Sequence, residues 1–269
     1  MSAVILSELR KIRSTRMWWV LLVCEVILVA FFAAVIGFAL VFSPEAATDF
    51  EGEQMLLPDV QRAQLVYTIG VSFGYVFPVI LGTLSVTSEV RHRTLATSIL
   101  LEARRSRIIL GKFIAIIPFA LLYAVASVLT GLAIGALAFA IAGEPLMLGD
   151  AEVLTSLGMG VLALTTWAIV GVGFGTAVTN QVAAVVILLA FTQFVEPILR
   201  FAGGFVPSLT SYAAYLPGAA GEAMAGTSFY AVAGASDLLA PWGGFGVLLA
   251  YAAITAVIGW LTTFRKDLT

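Results

Sequence analysis

Between Met17 and Phe42 the chain runs for 26 residues with a single charged side chain, Glu25. A helix of that length rises about 39 Å, enough to cross a hydrocarbon layer of about 30 Å with some tilt. Comparable apolar runs recur at 65–88, 113–142, 154–178, 182–201 and 243–264. Hydrophobic residues make up 61% of the 269 and charged ones 11%, with a mean hydropathy of +1.04. So little polar surface cannot coat a water-soluble globule of this size. The expectation is an all-α integral membrane protein, one transmembrane domain over 1–269 with six spanning helices.

The first run follows a basic start, as a secretion signal would. It is longer than the roughly 7–15 residues of a signal's apolar core and lacks a small-residue cleavage site, so it reads as the first membrane helix. Trp18 and Trp19 at its start suit an interface, where indoles anchor. Residues 1–16 put Ile5, Leu6, Leu9 and Ile12 on one side and Ser7, Glu8, Lys11, Ser14 and Thr15 on the other, which predicts an amphipathic helix lying on the membrane surface.

Residues 89–112 interrupt the oily pattern with Arg91, Arg93, Arg104, Arg105, Arg107 and Lys112. At 100° per residue, Arg91, Thr94, Ser98, Glu102 and Arg105 share one stripe, while Leu95, Ala96, Ile99, Leu100 and Ala103 fill a neighbouring arc. Glu89 stands four residues before Arg93, the spacing at which a helix pairs opposite charges. Two readings follow: a basic loop that only sets orientation, or an amphipathic helix that docks a soluble partner. Segments 1–16, 89–112 and 265–269 hold twelve of the fourteen Lys and Arg residues, and six crossings put all three on one side. The intervening loops, 43–62, 143–153 and 202–242, are acidic. The excess of cations marks the cytoplasmic side, so both termini are expected inside. The last loop is rich in Gly, Pro, Ala, Ser and Tyr, too broken to span and apolar enough to dip into the bilayer as an outer re-entrant segment.

Cofactor chemistry finds little material. Cys24 and His92 are the only residues of their kinds, which leaves no thiolate cluster and a poor zinc site. Gly111 and Lys112 lack the other residues of a phosphate-binding loop, and Gly171, Gly173 and Gly175 follow no strand and read as a helix-packing face. No metal is expected, and the chain is read as no enzyme, with any ATP hydrolysed on a partner. The remaining candidates lie within the apolar runs. A carboxylate as deep as Glu25 faces a cavity, a cation or a passing ligand, or else fixes helix packing through a hydrogen bond. Gln193, Glu196 and Arg200 place polar atoms in the last turns of the fifth helix, where Glu196 and Arg200 have the spacing of an ion pair.

The plan of six helices, a basic amphipathic start, a basic element after the second helix and a broken segment before the sixth resembles the ABC-2 type permeases, membrane subunits of ATP-binding-cassette exporters. In that family the segment after the second helix tends to read Glu, a few residues, Gly-Thr-Leu, then Pro-x-Ser-Arg, with a Lys opening the third helix. Glu89, Thr94, Leu95, Ser106, Arg107 and Lys112 match; Arg93 stands for the Gly and Arg104 for the Pro. Leu216 and Pro217 look like the family's outer segment. The resemblance implies that 89–107 is a coupling helix seated in a separately encoded ATPase, with Glu89, Arg91, Arg93, Thr94, Leu95, Glu102, Arg105, Ser106 and Arg107 as docking residues. It also implies two ATPase copies carrying ATP and Mg, and a second permease, identical or related. Glu25, Gln193, Glu196 and Arg200 are candidates for the translocation path. The cargo would be an amphipathic, lipid-like, peptide or drug compound, exported across a bacterial cytoplasmic membrane, with membrane lipid and no nucleic acid as the other partner. The alternatives are a carrier driven by an ion gradient and a non-transporting membrane scaffold or immunity protein.

Overall fold

The computed structural model describes residues 1–42, 57–94 and 104–264, with positions 98, 100 and 102 between the last two stretches. Six helices are long and apolar enough to cross a membrane: α2 (Met17–Phe42), α3 (Asp59–Arg91), α4 (Arg105–Ala142), α5 (Ala151–Ala177), α6 (Gln181–Phe205) and α10 (Pro241–Thr263). The chain has the build of a multi-pass membrane protein. Shorter helices accompany them: α1 (Ser2–Ser14) ahead of the bundle, and α7 (Pro207–Ala213), α8 (Pro217–Ala225) and α9 (Phe229–Val232) between α6 and α10. Most of the first acidic loop, the very end after 264 and Leu95 lie outside the described residues.

The helix boundaries follow local chemistry. Asp150 caps α5 by accepting the backbone N–H groups of Glu152 and Val153, and Asn180 caps α6 through Ala183 N–H. Gly143, at φ +76°, ends α4 in the left-handed conformation while Glu144 N–H reaches back to the Phe139 carbonyl. Several spans outrun their apolar cores. Hydropathy predicts the third span at 113–142, yet the helix starts at Arg105; the second, predicted at 65–88, runs from Asp59 to Arg91. Charged side chains extend these ends because each finds a partner there: Arg62 binds Asp59 and lies 3.0 Å from Glu144, and Lys112 is enclosed by carboxylates.

Helix α5 is the centre of the bundle, packed against α3, α4, α8 and α10. Its glycines are what lets α3 approach. A Cβ on Gly175 would stand 2.7 Å from the Thr83 carbonyl oxygen, one on Gly171 would collide with the Val79 carbonyl, and Gly82 of α3 faces the Ala168 backbone in return. These contacts account for the small-residue face as packing. Within α3, Gly70–Gly74 widens into a π-helical turn. Helices α2, α6 and α10 form the periphery and turn Val23, Ile27, Phe31, Val182, Phe194, Ile198 and Ile254 outward, as a hydrocarbon surround requires.

The broken segment before the last span is not a surface loop. Residues Ala219–Ala225 of α8 are buried between α5 and α10, where Gly221 leaves room for the Trp167 indole and Gly244 for the Ala220 carbonyl.

The close crossings give a test with opposite signs. Gly158, also in α5, has nothing within 4 Å of the position a Cβ would take, so Gly158→Ala leaves thermal unfolding in detergent unchanged or raises it by the usual helix gain of about 0.5–1 kcal/mol. Gly171→Ala is expected to destabilise by about 1–3 kcal/mol through overpacking against Val79. Equal melting of the two variants would contradict the close approach.

Candidate functional site

The basic element that links the second and third spans is set off from α3 by a turn at 92–94, and of the described positions after that turn 98 and 100 are helical. Helix α3 stops at Arg91, and Arg93 takes φ +56°, a left-handed conformation that breaks the stripe running from Arg91 to Arg105. Backbone bonds then step from Thr94 to Ser98 and from Ser98 to Glu102, at 3.1 Å each, before Arg104 extends and α4 begins. Arg91 therefore closes α3, where its guanidinium lies 3.4 Å from Gln181 Oε1, while Arg105, Ser106 and Arg107 open α4. Arg93 and Ser106 are exposed. Glu102 accepts the Arg104 backbone N–H and lies 3.5 Å from Arg107, and the first of these, then the nearby cation, hold its carboxyl below the usual range. The expected Glu89–Arg93 pair does not form, because the helix ends between them.

Glu89 has other partners. Its Oε1 lies 2.7 Å from Lys11 Nζ and 2.8 Å from Lys112 Nζ, while the two oxygens of Glu8 lie 2.5 Å from Lys11 and 2.7 Å from Lys112. Two cations and two anions alternate around a closed ring. Lys112 is 1% exposed, and Glu8 and Glu89 are buried as well. Lys112 also donates to the Ser85 carbonyl, and Lys11 to Ser98 Oγ at 3.2 Å. Burial works against the Lys11 charge, but the hydrogen bonds and field of Glu8 and Glu89 outweigh it and hold its pKa above the usual 10.5. The ring thus ties α1, the end of α3, the start of α4 and the linker together. It also corrects the reading of α1. Glu8 and Lys11, placed on the watery side by the sequence pattern, face the bundle with Ile12, and Leu6 faces outward. The buried Lys112, which Glu8 reaches alongside Glu89, accounts for that orientation.

A second polar group lies among α6, α8 and the residues that follow. The Glu196 carboxylate accepts Gly218 N–H at 2.9 Å and Ala219 N–H at 2.8 Å, at the first turn of α8. Arg200 donates to Glu222 Oε2 at 2.6 Å and to Ser228 Oγ at 2.7 Å, with its guanidinium 3.9 Å over the Tyr230 ring. The expected Glu196–Arg200 pair is replaced by two separate ties, because α8 and Glu222 offer each side chain a better-placed partner. Gln193 donates to Tyr75 Oη at 2.8 Å, and Tyr75 stacks on Trp167 at 4.4 Å. Gln193, Glu196 and Arg200 border one cavity of about 340 Å³.

Glu25 stands apart from that cavity. It is 0% exposed, and the buried Ser127 hydroxyl is the polar group beside it. Both face the notch left by Gly74 in the π-helical turn, where a Cβ would lie 2.9 Å from Ser127 Oγ and 3.5 Å from Glu25 Oε1.

No protein-family model matches the chain, and no curated protein matches its sequence.

Among the described residues no group of three or more His, Cys, Asp or Glu side chains is placed to hold a metal. Sequence reasoning passes over Glu8, Lys11, Lys112 and Glu222 as site residues. The signal for Lys112 is its place at the edge of an apolar run, and for Glu222 its standing as the one charge in LPGAAGEAMAG.

Removing one member of the ring strands the others. Lys112→Met is expected to lower stability by about 3–5 kcal/mol, read as early melting in detergent. The double variant E8Q/K112M should recover part of that loss, since it withdraws one of the stranded anions. Purely additive effects would show that the four groups are not coupled.

Proposed function

We propose that this chain is the membrane subunit of an ATP-driven exporter of the ABC-2 type that it resembles. The observation that carries the reading is the four-charge ring. A linker between two spanning helices is bonded, through Lys11, to a helix lying ahead of the bundle and to the ends of α3 and α4. A push on such a linker moves three elements together. Of the residues that match the family pattern, Glu89 and Lys112 belong to the ring, and Arg93 occupies the position at which the family carries Gly. Its φ of +56° is the backbone that glycine adopts without strain.

In this reading the basic end faces the cytoplasm of a bacterial cell, and the exposed residues Arg93 and Ser106 with Glu102 and Arg107 offer the surface on which an ATPase sits. The chain hydrolyses nothing itself; two ATPase subunits bring ATP and Mg. Two permease chains form the pathway, and closure of the ATPases swings the ring and the helices fixed to it. The cavity beside α6 belongs to the route of an amphipathic cargo. The carrier alternative has one observation in its favour, the carboxyl of Glu25 buried within a spanning helix.

Two measurements test the proposal. Purification of the tagged chain from its own membrane in mild detergent should bring along an ATP-binding-cassette ATPase in equal amount. The double reversal R93E/R107E should cut that recovery about tenfold, as expected for charges at an interface, without altering the permease's elution. A chain that comes through alone, or an ATPase indifferent to both reversals, would defeat the reading. Separately, Arg93→Gly is expected to stabilise the permease by about 1 kcal/mol by relieving the left-handed backbone; a lower melting temperature would contradict the turn.

A further inference from the structure

We infer that the cavity beside α6 is a binding site for a monovalent organic cation with an aromatic or similarly apolar body. Its ionisable border consists of Glu196, Glu222 and Arg200, two carboxyl groups against one guanidinium. The cation of this border is already engaged: Arg200 bonds Glu222 and Ser228 and lies on the Tyr230 ring. Five aromatic side chains stand in the rest of the wall, Phe73, Tyr75, Phe201, Phe229 and Tyr230. Ring faces present the negative side of their quadrupole to a cation, and that attraction grows where water is scarce. Gln193, half-buried, donates one amide N–H to Tyr75 Oη, and its Oε1 remains available as an acceptor beside the second N–H. The volume of about 340 Å³ suits a ligand of one ring and a small ammonium head.

Arg200 Nε favours the opposite charge, since it is buried without a partner and an anion would seek it. The test therefore sets three probes of similar shape against one another on the full chain in lipid nanodiscs: phenyltrimethylammonium, the neutral tert-butylbenzene and benzenesulfonate. Binding is followed by tryptophan fluorescence, because Trp167 stacks on the Tyr75 wall, and empty nanodiscs correct for partition into lipid. The cation is expected to bind at least about tenfold more tightly than the neutral probe, with benzenesulfonate weaker still. Glu196→Gln should reduce that preference to about threefold or less. Equal binding of the cation and the neutral probe, preference for the sulfonate, or no saturable binding of the cation would each overturn the inference. That the cation is a cargo rests on the exporter reading. The binding test needs no ATPase, so its failure and a failure of ATPase recovery are distinguishable.

Discussion

A lysine sealed inside a membrane bundle sets the terms for everything at the basic end of this protein. Lys112 is too deep to reach water, and a lone buried ammonium is costly. It is accommodated only because Glu8 and Glu89 close on it, and those two carboxylates in turn need Lys11 to balance their charge. The ring therefore fixes which face α1 presents to the bundle, where α3 ends and how far α4 extends. Replacement of such a ring by packed hydrocarbon would cost little stability. Its value lies in specificity: four groups from three helices satisfy one another in one arrangement, and a linker residue, Ser98, is bonded to it.

At the other polar group the same physics works on a different problem. Segment 202–242 contains too many glycines and prolines to form a span, yet α8 lies inside the bundle. Buried helix ends need partners. Glu196 supplies acceptors to the first turn of α8, and Arg200 holds Glu222 and Ser228 from the side. These ties pin the segment to α6 and leave the aromatic-walled cavity beside it. Structural anchoring and ligand binding are compatible roles here, since the groups that secure α8 also border the cavity.

Composition and hydropathy suffice to read six spans, because apolar length is a property of sequence alone. Met17–Phe42 agrees with its expected limits residue for residue. The limits of α3 and α4 are misplaced wherever a charge is read as a helix end; Arg62, Arg105 and Lys112 stay helical, Arg62 and Lys112 through partners distant in sequence. The orientation of α1 is misread for a related reason. A helical wheel sorts residues by polarity and puts Glu8 and Lys11 outside, since it carries no information about a buried lysine a hundred positions later. The pairs Glu89–Arg93 and Glu196–Arg200 follow from spacing, which counts only partners on the same helix. Glu25 is legible as an oddity from the sequence, and its setting beside Ser127 and the π-helical turn gives the oddity a place.

For a nucleotide-hydrolysing partner to reach the ring and its linker, both must face the cell interior. The most direct measurement replaces Cys24 with alanine, introduces Ser106→Cys at the exposed start of α4, and exposes intact cells and inverted membrane vesicles to a membrane-impermeant maleimide. Labelling in inverted vesicles with intact cells protected is the predicted result. Labelling of intact cells would place this end outside and contradict the account.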